Sequence, residues 1–124
     1  MVAKFYRPGR WSDAAILEEH AFARELADEE VPVVAPLIHE DRTLQRRGEF
    51  RFALYPCHGG RAPELDDLEL LTQLGRLVAR IHLQGERRPF RHRLRISVDS
   101  YGEAARKFLL KAGFIPDDLE EAYT

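Results

Sequence analysis

The sequence predicts an α+β fold, a small strand-and-helix part followed by a helical part. Three observations predict it. Short extended runs at 1–6 and 50–55 stop at Pro8-Gly9 and at Pro56, which punctuate strands. One capped segment of helical periodicity lies between them. Beyond residue 60 the strand signals end, and stretches at 66–85 and 100–112 carry the helical apolar repeat.

Each element follows from local chemistry. Met1 to Tyr6 reads as a strand and Pro8-Gly9 as a turn. Ser12 or Asp13 can cap a helix that runs to about Asp28 or Glu29. Ile16, His20, Ala23 and Ala27 share one stripe of it; Glu19, Phe22 and Leu26 share the next and should face the sheet. Val31 to Pro36 is extended, because each proline turns the preceding residue away from helix. Leu37–Glu40 and Thr43–Arg46 are expected as short strands, and Arg47-Gly48-Glu49 as a hairpin turn before the strand Phe50–Tyr55. His58-Gly59-Gly60 is a bend. Asp66 to Gly85 is the strongest helix, with Gly85 read as its C′ residue. Glu86 to Leu94 is an arginine-rich connector. Ser100 to Ala112 is a further helix closed by Gly113, with Tyr101, Ala104, Ala105, Phe108 and Ala112 as its expected inner face. The first residues already lie in a strand, and Tyr123-Thr124 stand just inside a new helix after Pro116. The chain is therefore expected to be part of a longer domain.

Composition bounds the function. A chain of 124 residues is one domain at most, and 44% hydrophobic with 32% charged residues is globular rather than disordered. A net charge of −2 gives no global electrostatic case for nucleic acid or membrane. The single cysteine, Cys57, excludes an internal disulfide and fits a reducing cytoplasm. No apolar run approaches the ~18 residues of a membrane span. Lys4, Arg7 and Arg10 interrupt any signal-peptide core.

Lys4 on a strand and Glu19 on the following helix form the most informative constellation. Protein-kinase-like folds hold ATP phosphates in this way: the carboxylate pins the ammonium and the ammonium meets the phosphate. Glu18 is the competing partner; Glu19 is preferred because it shares a stripe with Phe22 and Leu26. The run Phe50 to Arg61 reads either as an edge strand with a loop or as a strand entering a hinge. In a hinge, Leu54 would stand at the back of a nucleotide pocket, and the main chain of Tyr55, Pro56 and Cys57 would meet the adenine edge. His82 reads as packed or capping rather than catalytic. Cys57-His58 lacks the companion ligands of a zinc site, and His39, Glu40 and Asp41 have no identifiable partners, so no metal site is assigned. Arg87, Arg88, Arg91, His92, Arg93 and Arg95 form a basic run, read as a solvated connector balanced by acidic stretches at 64–69 and 117–121.

Taken together, several stretches resemble one family. They are Val2-Ala3-Lys4-Phe5-Tyr6-Arg7-Pro8-Gly9-Arg10-Trp11-Ser12 with Ile16-Leu17-Glu18-Glu19-His20, then Glu29 to Val33, Phe52 to Pro56 with Gly59-Gly60-Arg61, Leu74-Gly75-Arg76 with Ile81-His82, and Phe90 to Arg93. The pattern is similar to the bacterial stress response kinase A family, among the aminoglycoside-phosphotransferase-like kinases of protein-kinase-like fold. The resemblance covers nearly the whole chain.

It implies a partial kinase small lobe of antiparallel strands plus C-helix with the hinge at 1–57, and the first helices of a truncated large lobe at 58–124. It implies Lys4 as the phosphate-binding lysine, Glu19 as its helix partner, and Leu54, Tyr55, Pro56 and Cys57 as the linker contacting ATP. The full-length protein would be a cytoplasmic Ser/Thr kinase that uses ATP and Mg²⁺ on a protein substrate or on itself. It would have no nucleic-acid or membrane partner. The rivals are a small-molecule kinase of the same fold and a non-enzymatic binding module using Arg87–Arg95. The family's Gly-rich loop, His-Gly-Asp catalytic element and magnesium ligands do not occur in these residues. No catalytic or metal residue is therefore assigned, and the 124-residue chain is expected to be inactive alone and marginally stable.

Overall fold

The computed structural model describes residues 1–64 and 66–123. The order is β1 (Val2–Tyr6), α1 (Asp13–Asp28), β2 (Gln45–Arg47), β3 (Phe50–Tyr55), α2 (Leu68–Arg87), a π-helical segment Val98–Glu103, α3 (Ala104–Lys111), a 3₁₀ turn Asp117–Leu119 and α4 (Glu120–Tyr123). This is an α+β chain with one antiparallel sheet in the order β1-β3-β2. It divides into two compact units, Met1–Arg93 and Leu94–Thr124. The lobe boundary expected at 57/58 falls inside the first of them. Leu65 and Thr124, within the expected segment 58–124, lie outside the described residues.

In the first unit, register decides which side chains meet α1. Val2 pairs with Tyr55, Lys4 with Ala53 and Tyr6 with Arg51. Strand alternation puts these six on one face and Ala3, Phe5, Phe52 and Leu54 on the other. On that other face the Phe5 and Phe52 rings lie 5.6 Å apart. Tyr6, Ile16, Leu44 and Ala53 form the buried cluster, with Trp11 and Tyr55 packed against it. Helix α1 starts where Ser12 Oγ accepts from the Ala15 N–H at 3.1 Å. It ends with Glu30 in the left-handed region (φ 57°), where Val31 N–H reaches Leu26 O at 2.9 Å. Arg80 of α2 donates to Glu29 O and Glu30 O at 2.9 and 3.1 Å, which satisfies carbonyls left free at that helix end.

Several expectations are corrected. Leu37–Glu40 is not a strand. Glu40 and Asp41 both take positive φ, so His39 and Arg42 close a two-residue turn, which Gln45 ties down through the carbonyls of both. Of the second expected strand, Thr43–Arg46, only Gln45 and Arg46 join the sheet, and the strand continues through Arg47, which was expected in the turn. Gly85 does not end α2, which runs to Arg87 and caps at the extended Arg88. The stop is set by Pro89, which disfavours helix in the residue before it. Phe22 does not face the sheet; its ring packs 5.1 Å from Phe90 of the connector, while Ile16 and His20 occupy the sheet side.

In the second unit, Ser97 rather than Ser100 opens the helical segment. Ser97 and Ser100 cap one another's backbone N–H reciprocally. The expected inner face is not buried: Tyr101 and Phe108 are 59% and 62% exposed. Phe108 meets Phe114 at 6.1 Å, and Ile115 is the one buried residue among those described.

Candidate functional site

The site grows from the middle of β1 and the second turn of α1. Lys4 projects from the α1-facing side of β1, and its Nζ lies 3.2 Å from Glu19 Oε1 and 5.1 Å from the centre of the Tyr6 ring. The other carboxylate oxygen of Glu19 accepts from Arg93 at 2.8 Å. The Arg93 guanidinium lies over the Trp11 ring, 4.2 Å from its centre. Lys4 is 49% and Glu19 34% exposed, and such a pair contributes at most about 1 kcal/mol. Its effect is to aim an ammonium rather than to hold the fold.

Glu18 takes a different partner. It accepts the backbone N–H groups of Arg91, His92 and Arg93 at 2.6, 2.9 and 3.1 Å. Loss of solvent around Glu18 pushes its carboxyl up, but the three N–H groups outweigh it and hold the carboxyl below the usual range. The basic connector is therefore balanced by α1. Arg88 pairs with Glu25 and Arg87 with Glu29, besides the Arg93–Glu19 contact. Of the acidic stretches expected to balance the connector, Leu65 and the side chains of Asp117 and Glu120 lie outside the described residues. Arg46 and Arg51 close on Asp13, and their hydrogen bonds hold its carboxyl low.

Behind Lys4 a buried polar chain ties strand to helix. Tyr6 Oη lies 2.7 Å from His20 Nε2 and 3.3 Å from Tyr55 Oη, and His20 Nδ1 lies 2.9 Å from Thr43 Oγ1. Burial lowers the His20 pKa below the usual histidine range and raises that of Tyr6 above the usual tyrosine range. Both groups are neutral at pH 7.

Two clefts flank the Lys4–Glu19 pair. One, of about 470 Å³, is lined by Lys4, Arg7, Arg10, Trp11, Glu19 and Arg93. Four cations face one carboxylate there, a charge balance suited to an anion. The other, of about 440 Å³, is lined by Val2, Lys4, His20, Ala23, Val34 and Tyr55 and is mainly apolar. Tyr55 thus shares a cleft with Lys4. Leu54 lies on the opposite face of β3, where its carbonyl accepts from Leu37 N–H at 2.8 Å. Pro56 and Cys57 follow β3 without regular structure, and Cys57 is exposed. His82 is neither capping nor packed; it is an exposed side chain within α2. Among the described residues no three His, Cys, Asp or Glu are arranged to hold a metal. No described helix is long and apolar enough to cross a membrane.

A family model described as the phosphotransferase enzyme family matches residues 1–122. The chain belongs to the phosphotransferase enzyme family. Stress response kinase A of Escherichia coli (strain K12) is 41% identical over 122 residues, which are 98% of this chain and 37% of that protein. The serine/threonine protein kinase RdoA of Salmonella typhimurium (strain LT2) is 40% identical with the same coverage. The chain thus spans little more than a third of the length of these phosphotransferase-family relatives.

Sequence reasoning missed Arg93 and Trp11. The family resemblance included both, yet their contact depends on a connector folding back onto α1, and 75 positions separate Arg93 from Glu18. The available signal was charge complementarity between the glutamates of α1 and the arginines of 87–93.

Proposed function

We propose that this chain carries the nucleotide-phosphate grip of an ATP-dependent Ser/Thr protein kinase. In this reading residues 1–57 are a partial small lobe with its hinge and 58–124 begin the helical large lobe. Lys4 receives the ATP phosphates, Glu19 orients it, and Tyr55, Pro56 and Cys57 run beside the adenine with Leu54 behind them. The whole protein would transfer phosphate to protein hydroxyls, its own included, in the cytoplasm with Mg²⁺. Magnesium would bridge and neutralise the phosphates when bound. The residues described here contribute orientation and charge.

One observation carries the reading: Lys4 and Glu19 meet at 3.2 Å between an apolar cleft and a cationic one. That arrangement suits a ligand with an apolar ring and a polyphosphate tail. Family membership and relatives named as kinases support the same reading. The binding-module alternative is weakened because Arg87, Arg88 and Arg93 are engaged with α1.

The test is ATP binding by the purified 124-residue chain, followed with a fluorescent ATP analogue. Lys4→Ala should weaken binding about tenfold, near 1.4 kcal/mol. Turnover should be undetectable, because no His-Gly-Asp or Asp-Phe-Gly element occurs in these residues. Binding that ignores the Lys4 substitution would overturn the site assignment, and clear turnover would overturn the account of the catalytic parts.

A further inference from the structure

We propose that Arg93 is a positioning residue for Lys4, acting through Glu19. The consequence for ligand affinity rests on the nucleotide reading above; the positioning itself rests on geometry. Both oxygens of Glu19 are engaged, Oε1 by Lys4 at 3.2 Å and Oε2 by Arg93 at 2.8 Å. The two cations are not equally fixed. Arg93 lies over the Trp11 ring at 4.2 Å, its backbone N–H is held by Glu18 at 3.1 Å, and its side chain is 29% exposed against 49% for Lys4. A planar guanidinium stacked on an indole has already lost much of its rotamer freedom. Lys4 sits on a flexible four-carbon stem. The guanidinium therefore sets the carboxylate, and the carboxylate sets the ammonium.

The arrangement joins three stretches of chain at one point: the turn before α1 through Trp11, α1 through Glu19, and the connector through Arg93. Connector attachment and carboxylate orientation are separable. The three backbone N–H groups on Glu18 hold the connector without using the guanidinium. Loss of the guanidinium alone leaves Glu19 with one mobile partner, and the Lys4 ammonium with no fixed direction.

Two built-in reporters read this in the 124-residue chain. Trp11 is the only tryptophan, and Lys4 shares the lysine spectrum with Lys107 and Lys111 alone. Arg93→Met should shift Trp11 emission and move the Lys4 side-chain NMR signal while those of Lys107 and Lys111 stay in place. It should also weaken binding of the fluorescent ATP analogue roughly three- to tenfold, with the circular dichroism spectrum unchanged. Arg93→Lys keeps the charge and loses the planar fork; it should recover part of the affinity without restoring Trp11 emission. Glu18→Gln loosens the connector but keeps the guanidinium, and should move the Lys4 signal clearly less than Arg93→Met does.

A Lys4 signal in Arg93→Met that coincides with wild type overturns the proposal. So does a Glu18→Gln variant that moves it as far, since connector attachment would then explain everything. Should Arg93→Met fail to fold, Arg93→Gln bears the same comparison of Lys4 signals, with the same outcomes. If wild type binds no ATP analogue, the nucleotide reading fails by itself, and the Lys4 signal still decides the role of Arg93.

Discussion

His20 is 1% exposed and has a hydroxyl on each ring nitrogen, so it folds as a neutral imidazole. Its folded pKa lies below the value of about 6.5 expected in the unfolded chain. Above that value neither state is protonated and its contribution to stability is complete. As pH falls below about 6.5 the unfolded chain gains a proton that the folded state resists. Stability then drops by up to about 1.4 kcal/mol per pH unit until the folded imidazole also protonates. The depressed carboxyls of Asp13 and Glu18 act lower, below about 4.5. The urea midpoint should therefore fall between pH 7.5 and 5.5 in wild type and fall less in His20→Gln. Equal midpoints at the two pH values in wild type would refute the buried neutral state. Lys4 and Glu19 were legible in the sequence because strand and helix phase are local properties. His20 shares a stripe with Ile16, but the sheet was expected on the next stripe, and the bonds of His20 to Tyr6 and Thr43 were not legible, because they depend on where residue 43 returns to the helix.

Caps and stops show the same division between local and distant causes. Ser12 was readable as a cap because its hydroxyl acts three residues away. Gly85 was misread because glycine is used both in helix interiors and past helix ends, and Pro89 sets the stop instead. The two glycines differ in substitution sign. Gly113 has φ of 65°, so a side chain there is strained. Gly85 is not among the positive-φ glycines, and a Cβ would meet the Phe22 ring at an ordinary 3.8 Å. Gly85→Ala should raise stability by about 0.5–1 kcal/mol in a urea titration, because alanine gives up less freedom in a helix. Were Gly85 a left-handed C′ residue, the same change would destabilise. Ser12→Ala in the same titration should cost about 1 kcal/mol. The Leu37–Glu40 strand was misassigned for a related reason. The turn that replaces it places Glu40 and Asp41 in left-handed conformations, and glutamate at the first of these positions gives no signal of it.

The two units of the chain differ in what holds them. Met1–Arg93 has a buried cluster, a sheet of three strands and a helix tied to it by hydrogen-bonded and ionic contacts. Leu94–Thr124 has one buried residue among those described, Ile115, and exposes Leu94, Ile96, Val98, Tyr101, Phe108 and Phe114. Its apolar periodicity is genuine, which is why the sequence suggested an inner face, but periodicity says only that a face exists and not what covers it. A segment well under about 40 residues buries too little apolar surface to offset its ordering entropy. Amide hydrogen exchange should therefore separate the units. Amides of β1, β3 and the middle of α1 should exchange slowly, at rates set by opening of the first unit. Amides of α3 should exchange at least tenfold faster, because local opening there costs little. An apolar dye such as ANS should bind the chain, and deleting residues 94–124 should remove much of that binding while the exchange of β3 stays unchanged. Protection of α3 equal to that of β3 would show that the second unit shares the stability of the first.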